Sequence, residues 1–232
     1  MMSPKTNSGL QTFGSELAFR FSRALVAFAL WLAVVGFAPL ARAVTFTSNV
    51  TISEGDTTYD GQDIIVDGAA ATINGAHSFT SLSLINGAVL THSPCTALAT
   101  HKLDLTVTNQ ITISTGSQID VSGKGYLAGR TSGNTTVGAA TGRSGGSHGG
   151  QGDGTTNKVY GDYADPNDWG SGSGTLNGGQ PGGGLVRVTA ATLLLDGKIL
   201  ANGLGYEVTA CSSGGGIYCL VLGIDYTWCA KE

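Results

Sequence analysis

Apolar and polar positions alternate along residues 185–190, LVRVTA. A period of two places successive side chains on opposite faces, so this pattern predicts a β-strand. An apolar run at 193–195 follows, then the pair Asp196-Gly197, a short apolar segment at 199–201 and the pair Asn202-Gly203. Both pairs predict tight turns, because Asp, Asn and Gly tolerate positive φ. The unit is therefore a strand, a corner, a shorter strand and another corner.

An earlier segment, 105–126, aligns with 185–206 and places Val107 on Val188 and Ile119 on Ile199. Shorter copies begin at Ile64 and Leu82. Units of about 20 residues that cannot bury their own apolar face must stack to form a core. We therefore predict an all-β solenoid rather than a sandwich of hairpins, which is the alternative for short strands with turn signals. Six side chains are expected to point inward: Val107, Ile111, Ile119, Val188, Leu194 and Ile199.

The first 43 residues have the pattern of an export signal. A polar, basic stretch ends at Arg23, an apolar run extends to Pro39, and Ala41-Arg42-Ala43 has the A-x-A form of a cleavage site. An uncleaved anchor helix is the alternative, because the apolar run approaches the roughly 20 residues that span a bilayer. We predict cleavage after Ala43, no stable membrane insertion afterwards, and a secreted or cell-surface domain at 44–232.

Residues 127–184 interrupt the repeats, with 19 glycines in 58 residues. A disordered linker is one interpretation of such a composition. The segment 159–169, VYGDYADPNDW, concentrates aromatic residues. We therefore favour a long excursion between two repeats, held against them by those aromatics.

Three motifs occur together: GGSHGG at 145–150, YGDYADPNDWGSGSG at 160–174, and GGGLVRVTAATLLLDGKILANG at 182–203. Their combination resembles the glycine-rich, parallel β-helix-like repeat regions of bacterial secreted and surface proteins, over residues 100–217. The resemblance implies a single right-handed parallel β-helix and an extracellular scaffold. It supplies no catalytic residues.

Charge and motif content narrow the function classes. The chain has 12 basic and 16 acidic residues, and four of the basic ones precede residue 44. An acidic domain of this kind argues against nucleic acid as a partner. β-Helix polysaccharide enzymes carry clustered acids on one wall, and no Asp-Asp pair occurs in this sequence. A polysaccharide lyase or glycoside hydrolase is therefore the less favoured interpretation, with His148 as its best single candidate.

The candidate ligand-binding residues all lie in the glycine-rich excursion: His148, Tyr160, Tyr163 and Trp169. In the same segment Asp162, Asp165 and Asp168 have a spacing of three, and oxygen-rich loops suit calcium. The alternative is that these acids form turns and face solvent. We expect no obligatory cofactor, with calcium as the candidate metal.

Cys95, Cys211, Cys219 and Cys229 permit disulfides after export, but their spacing leaves the pairing open. Residues 217–232 predict an incomplete last coil, whose open edge favours self-association.

The first hypothesis is thus a secreted or cell-surface scaffold, an adhesin-like module without catalytic activity that contacts surface polysaccharide. A carbohydrate-binding or polysaccharide-degrading protein is the alternative, and a piece of a longer surface protein is a third interpretation.

Overall fold

The computed structural model describes residues 43–154, 157–176, 178–205 and 211–223. The predicted export signal lies outside these ranges except for Ala43, which begins the first strand. The twelve strands are β1 (Ala43–Phe46), β2 (Val50–Ile52), β3 (Asp63–Asp67), β4 (Ala70–Ile73), β5 (Gly75–Phe79), β6 (Ser81–Ile85), β7 (Val89–Thr91), β8 (Leu103–Ile113), β9 (Gln118–Asp120), β10 (Leu185–Leu195), β11 (Lys198–Leu200) and β12 (Gly216–Val221). A single 3-10 turn at Ser132–Asn134 is the only helical element of the described residues.

The strands form two parallel sheets. The larger has seven strands in the order β1-β3-β6-β8-β10-β12, with β5 also paired to β8, and the smaller has five in the order β11-β9-β7-β4-β2. The predicted single right-handed β-helix is therefore wrong, because the described strands make two separate sheets of unequal size and do not close into one solenoid.

Strand β8 shows why the repeats are not equivalent coils. Its first half pairs with β5 and its second half with β6, so one long strand serves two preceding units. Equal apolar periods along the chain do not reveal such unequal pairing, because pairing is a non-local contact.

Register confirms part of the repeat alignment and corrects the rest. Ile64 lies opposite Leu82, and Ile119 lies opposite Ile199, as the alignment predicts. Val107, however, lies opposite Ala190 rather than Val188. The displacement is two residues, so the same face of the strand still meets the core.

A bulge between β8 and β10 changes which leucine faces inward. The register shifts between Ala190 and Thr192, so the two-residue period of β10 is broken there. Leu193 consequently packs against the core, whereas Leu194 lies opposite Thr112 and is not part of the core. The expectation that Leu194 points inward is wrong for this reason.

The two sheets share one hydrophobic core. Ile64, Leu82 and Ile111 of the larger sheet and Leu90 and Ile119 of the smaller are all buried in the same cluster. Burial confirms the inward prediction for Val107, Ile111, Ile119 and Val188, and Ile199 packs partly buried against the cluster.

The glycine-rich excursion packs by backbone contacts rather than by strand pairing. The N–H of Gly125 donates to the carbonyl oxygen of Gly182 at 2.7 Å, and the N–H of Gly170 donates to that of Gly183 at 2.9 Å. Gly183 donates in turn to Ser213 at 2.9 Å. Residues 125, 170, 182 and 183 thus belong to one buried layer that precedes β10.

No helix in the part of the chain that the structure describes has the length and apolarity needed to cross a bilayer.

Candidate binding groove

A buried polar network anchors the segment that contains the candidate ligand residues. The Tyr126 hydroxyl donates to Asp168 Oδ1 at 2.6 Å, and the Ser132 hydroxyl donates to Asp168 Oδ2 at 2.7 Å. Burial, and next the bond to Asp168, raises the pKa of Tyr126 far above its usual range. Tyr126 is therefore a neutral donor, and the carboxylate of Asp168 is occupied on both oxygens.

Tyr160 and Trp169 extend this anchor. The Tyr160 hydroxyl donates to the Trp169 carbonyl at 2.6 Å and accepts from Ser171 Oγ at 3.0 Å. Burial raises the pKa of Tyr160 as well, so its phenol remains protonated. Trp169 Nε1 donates to the carbonyl oxygen of His101, just before β8, at 2.6 Å. Trp169 thus holds the excursion against the segment before β8, and Tyr160 joins Trp169 and Ser171 within the excursion.

His148 joins two segments that are distant in sequence. Its Nδ1 donates to the carbonyl oxygen of Gly214 at 2.8 Å, and its ring lies 5.0 Å from that of Tyr160. A Cβ at Gly161 would come within 2.8 Å of His148 Nε2, so only glycine lets the chain pass this close to the imidazole.

Arg187 of β10 fastens the other side of the same segment. One guanidinium nitrogen, Nη1, donates to Asp165 Oδ1 and to the carbonyl oxygen of Pro166, both at 2.7 Å. The guanidinium also stacks over the ring of Tyr218, 4.4 Å from its centroid. The side chain of Asp165 is 61% exposed, so the two bonds serve mainly to position the loop.

A shallow groove of about 450 Å³ opens between these fixed points. Its lining residues come from three separate segments: His148 and Gly149; Gly161, Asp162, Tyr163 and Pro166; and Gly214, Gly215, Gly216 and Ile217. Tyr163 is 98% exposed, and Ile217 is 39% exposed. The volume is within the range of small-molecule sites.

The predicted ligand residues separate into two groups. His148 and Tyr163 line the groove, whereas Tyr160 and Trp169 lie behind it and carry structural hydrogen bonds. Their common sequence signal, an aromatic in a glycine-rich loop, does not distinguish a ligand contact from an anchor.

The three predicted calcium ligands do not converge. Asp162 lines the groove and accepts the N–H of Ala164, Asp165 binds Arg187, and Asp168 belongs to the buried network. Among the described residues, no group of three or more His, Cys, Asp or Glu side chains is arranged to hold a metal ion.

Sequence reasoning missed one wall of the groove. The sequence analysis assigns no ligand contact to the glycines at 214–216, which lead into β12 and line the groove. A run of three glycines before an edge strand is the available signal, because it leaves this wall without side chains.

Of the four cysteines, Cys95 is buried, and Cys211 and Cys219 are exposed and not joined to one another. Cys229 lies outside the described residues, so the disulfide question for it is unchanged.

Comparison of the chain with protein-family models, with curated proteins and with solved structures finds no match.

Proposed function

We propose that the protein is a non-catalytic, adhesin-like module of the secreted or cell-surface class, which attaches to its target through the groove beside Tyr163. The observation that carries this proposal is the groove itself, open to solvent and containing an almost fully exposed tyrosine. Exposed aromatic side chains are costly to leave in water and are enriched where proteins bind a partner.

The acids support binding rather than hydrolysis. Glycoside hydrolysis in most families requires two carboxyl groups on either side of the bond to be cleaved. Among the described residues, Asp162 is the only acid that lines the groove, and Asp165 and Asp168 are engaged by Arg187 and by the buried network. A polysaccharide-degrading enzyme is accordingly the second candidate.

Export is the other part of the proposal, and it rests on the A-x-A motif at 41–43. The proposal includes no cofactor. Two of the three candidate calcium ligands, Asp165 and Asp168, already have protein partners.

The test is expression of the full chain in a bacterial host with an intact export system. We expect the exported protein to begin at Val44, by N-terminal sequencing, and beads coated with it to retain intact bacterial cells. Retained Met1 on all of the protein, or release of reducing ends from polysaccharide, would contradict the proposal.

A further inference from the structure

The groove has the chemistry of a site for a hydroxyl-rich, uncharged molecule. We infer that it binds a neutral saccharide, with Tyr163 as the stacking platform and Asp162 as the acceptor for sugar hydroxyls. This inference rests on the proposed function and specifies its ligand class.

Tyr163 provides the apolar half of the site. Its ring is 98% exposed beside the groove, so both its face and its edge are free to contact a ligand. The negative face of an aromatic ring attracts the weakly positive C–H groups on the flat side of a pyranose ring. Ile217, which is 39% exposed, adds a second apolar side chain to the lining.

Asp162 and the glycines provide the polar half. Asp162 Oδ1 accepts the N–H of Ala164 at 2.8 Å, which holds the carboxylate in place while Oδ2 remains available to a ligand. A carboxylate accepts hydroxyl groups in short, charge-assisted hydrogen bonds. Gly214 and Gly215 leave this wall without side chains, so a sugar ring can approach the backbone closely.

The charge of the lining selects against acidic sugars. No lysine or arginine of the described residues lines the groove, so none of them would neutralise a uronate, sulfate or phosphate group there. Arg187 is directed to Asp165 and Pro166 instead. A polyanionic ligand would also meet the carboxylate of Asp162, and like-charge contacts disfavour binding.

The groove is preorganised, which favours binding of a weakly interacting ligand. His148 joins its walls through the bond to Gly214, and Arg187 holds Pro166 from the opposite side. Because both walls are held before the ligand arrives, little conformational entropy is lost on binding.

The experiment is isothermal titration calorimetry of the purified chain with neutral oligosaccharides, namely oligomers of β-1,4-glucose, β-1,4-mannose and N-acetylglucosamine. Oligogalacturonate serves as the acidic comparison.

We expect a neutral oligomer to bind, and Tyr163→Ala to weaken that binding by about tenfold or more, as for truncation of a central aromatic contact. Tyr163→Phe, which keeps the ring, should remain within about threefold of the original affinity. Asp162→Asn should weaken binding without changing the melting temperature.

Leu98→Ala is the matched control, because Leu98 is 97% exposed and is not among the groove residues. The Leu98→Ala variant should bind the neutral oligosaccharide with the same affinity as the unmodified chain. Absence of binding to all three neutral oligomers, tighter binding of oligogalacturonate, or unchanged affinity in folded Tyr163→Ala would each overturn the inference. If none of the neutral oligomers binds, but beads coated with the unmodified chain retain cells and beads coated with Tyr163→Ala do not, the saccharide class is wrong while the adhesin-like function through the groove stands.

Discussion

At the residue scale, the glycines of this chain have two different uses. Gly68 and Gly87 lie at φ of +62° and +80° in the turns that follow β3 and β6, where L-residues are strained. Gly182 has no such conformation, but a Cβ there would collide with the carbonyl oxygen of Gly170. Gly197 is similar, because its Cβ would meet the Ser117 carbonyl. The Asp196-Gly197 turn therefore does not use the tolerance of glycine for positive φ, and lack of space for a Cβ explains its glycine.

Close backbone packing makes a testable prediction at Gly182. Gly182→Ala should lower the free energy of unfolding by about 3 kcal/mol, because overpacking against backbone cannot be relieved by a rotamer change. Gly150→Ala is the control, since nothing lies within 4 Å of its Cβ position and its φ is not positive. Urea denaturation measures both variants, and equal midpoints would show that the layer tolerates a methyl group.

The buried His92 predicts an acid-sensitive core. Its Nδ1 donates to the Ser93 carbonyl at 2.7 Å, and its Nε2 accepts the N–H of Leu185 at 3.2 Å, so the ring is neutral. Burial lowers the pKa of His92 from 6.5 to about 4. Between those values the unfolded chain binds a proton that the folded chain does not, so stability falls as pH decreases.

Because of His92, the free energy of unfolding should decrease by about 3 kcal/mol between pH 7 and pH 4. His92→Gln keeps a donor and an acceptor but does not titrate. Chemical denaturation at pH 7 and pH 4 should therefore show a smaller decrease in the free energy of unfolding for the variant than for the unmodified chain. A loss of the same size in both proteins would assign the acid sensitivity to other groups.

At the level of single elements, the bulge between β8 and β10 makes neighbouring leucines of β10 unequal. Leu193 packs against the core after the register shift, and Leu194 does not. Leu193→Ala should therefore cost about 2 kcal/mol in unfolding free energy, and Leu194→Ala about 0.5 kcal/mol. Thermal or urea unfolding of the pair measures the difference, and a larger effect at Leu194 would mean that the period continues unbroken through Thr192.

The elements of the groove explain why its residues were only partly predictable. His148, Tyr163 and Asp162 were identified as aromatic, imidazole and acidic side chains in a glycine-rich segment. The contribution of Gly214–Gly216 requires contact across more than 50 residues of chain, which no local pattern contains. The separation of Tyr163 from Tyr160 also depends on tertiary contacts, since one ring faces solvent and the other binds Ser171 and Trp169.

At the scale of the whole molecule, the edge of the larger sheet remains the predicted self-association surface. Strand β12 pairs with β10 on one side, and no other described strand pairs with it. Leu220 is 41% exposed and Leu222 is 70% exposed at this edge, and residues 224–232 lie outside the described ranges. Exposed strand edges with apolar side chains favour pairing with a second copy.

Sedimentation velocity tests this surface. The molecular mass of the unmodified domain should increase with concentration, and Leu220→Lys should remain monomeric because a charged edge residue disfavours pairing. Leu98→Lys, on a loop elsewhere, is the control and should associate as the unmodified chain does. If the unmodified chain is a monomer at all concentrations, the prediction of self-association is wrong.

The repeated strands could be predicted from the sequence, because the alternation at 185–190 and the recurring turns follow from the period of a pleated chain. The sequence also predicted most core positions, since Val107, Ile111, Ile119 and Val188 are buried whichever strands become neighbours. The arrangement of the units in two parallel sheets instead of one solenoid could not be predicted, because strand pairing joins segments that are distant along the chain. Two local features also depend on tertiary contacts. The inward orientation of Leu193 follows from the register shift between β8 and β10. The glycine at position 182 is needed because another backbone segment approaches it too closely for any Cβ.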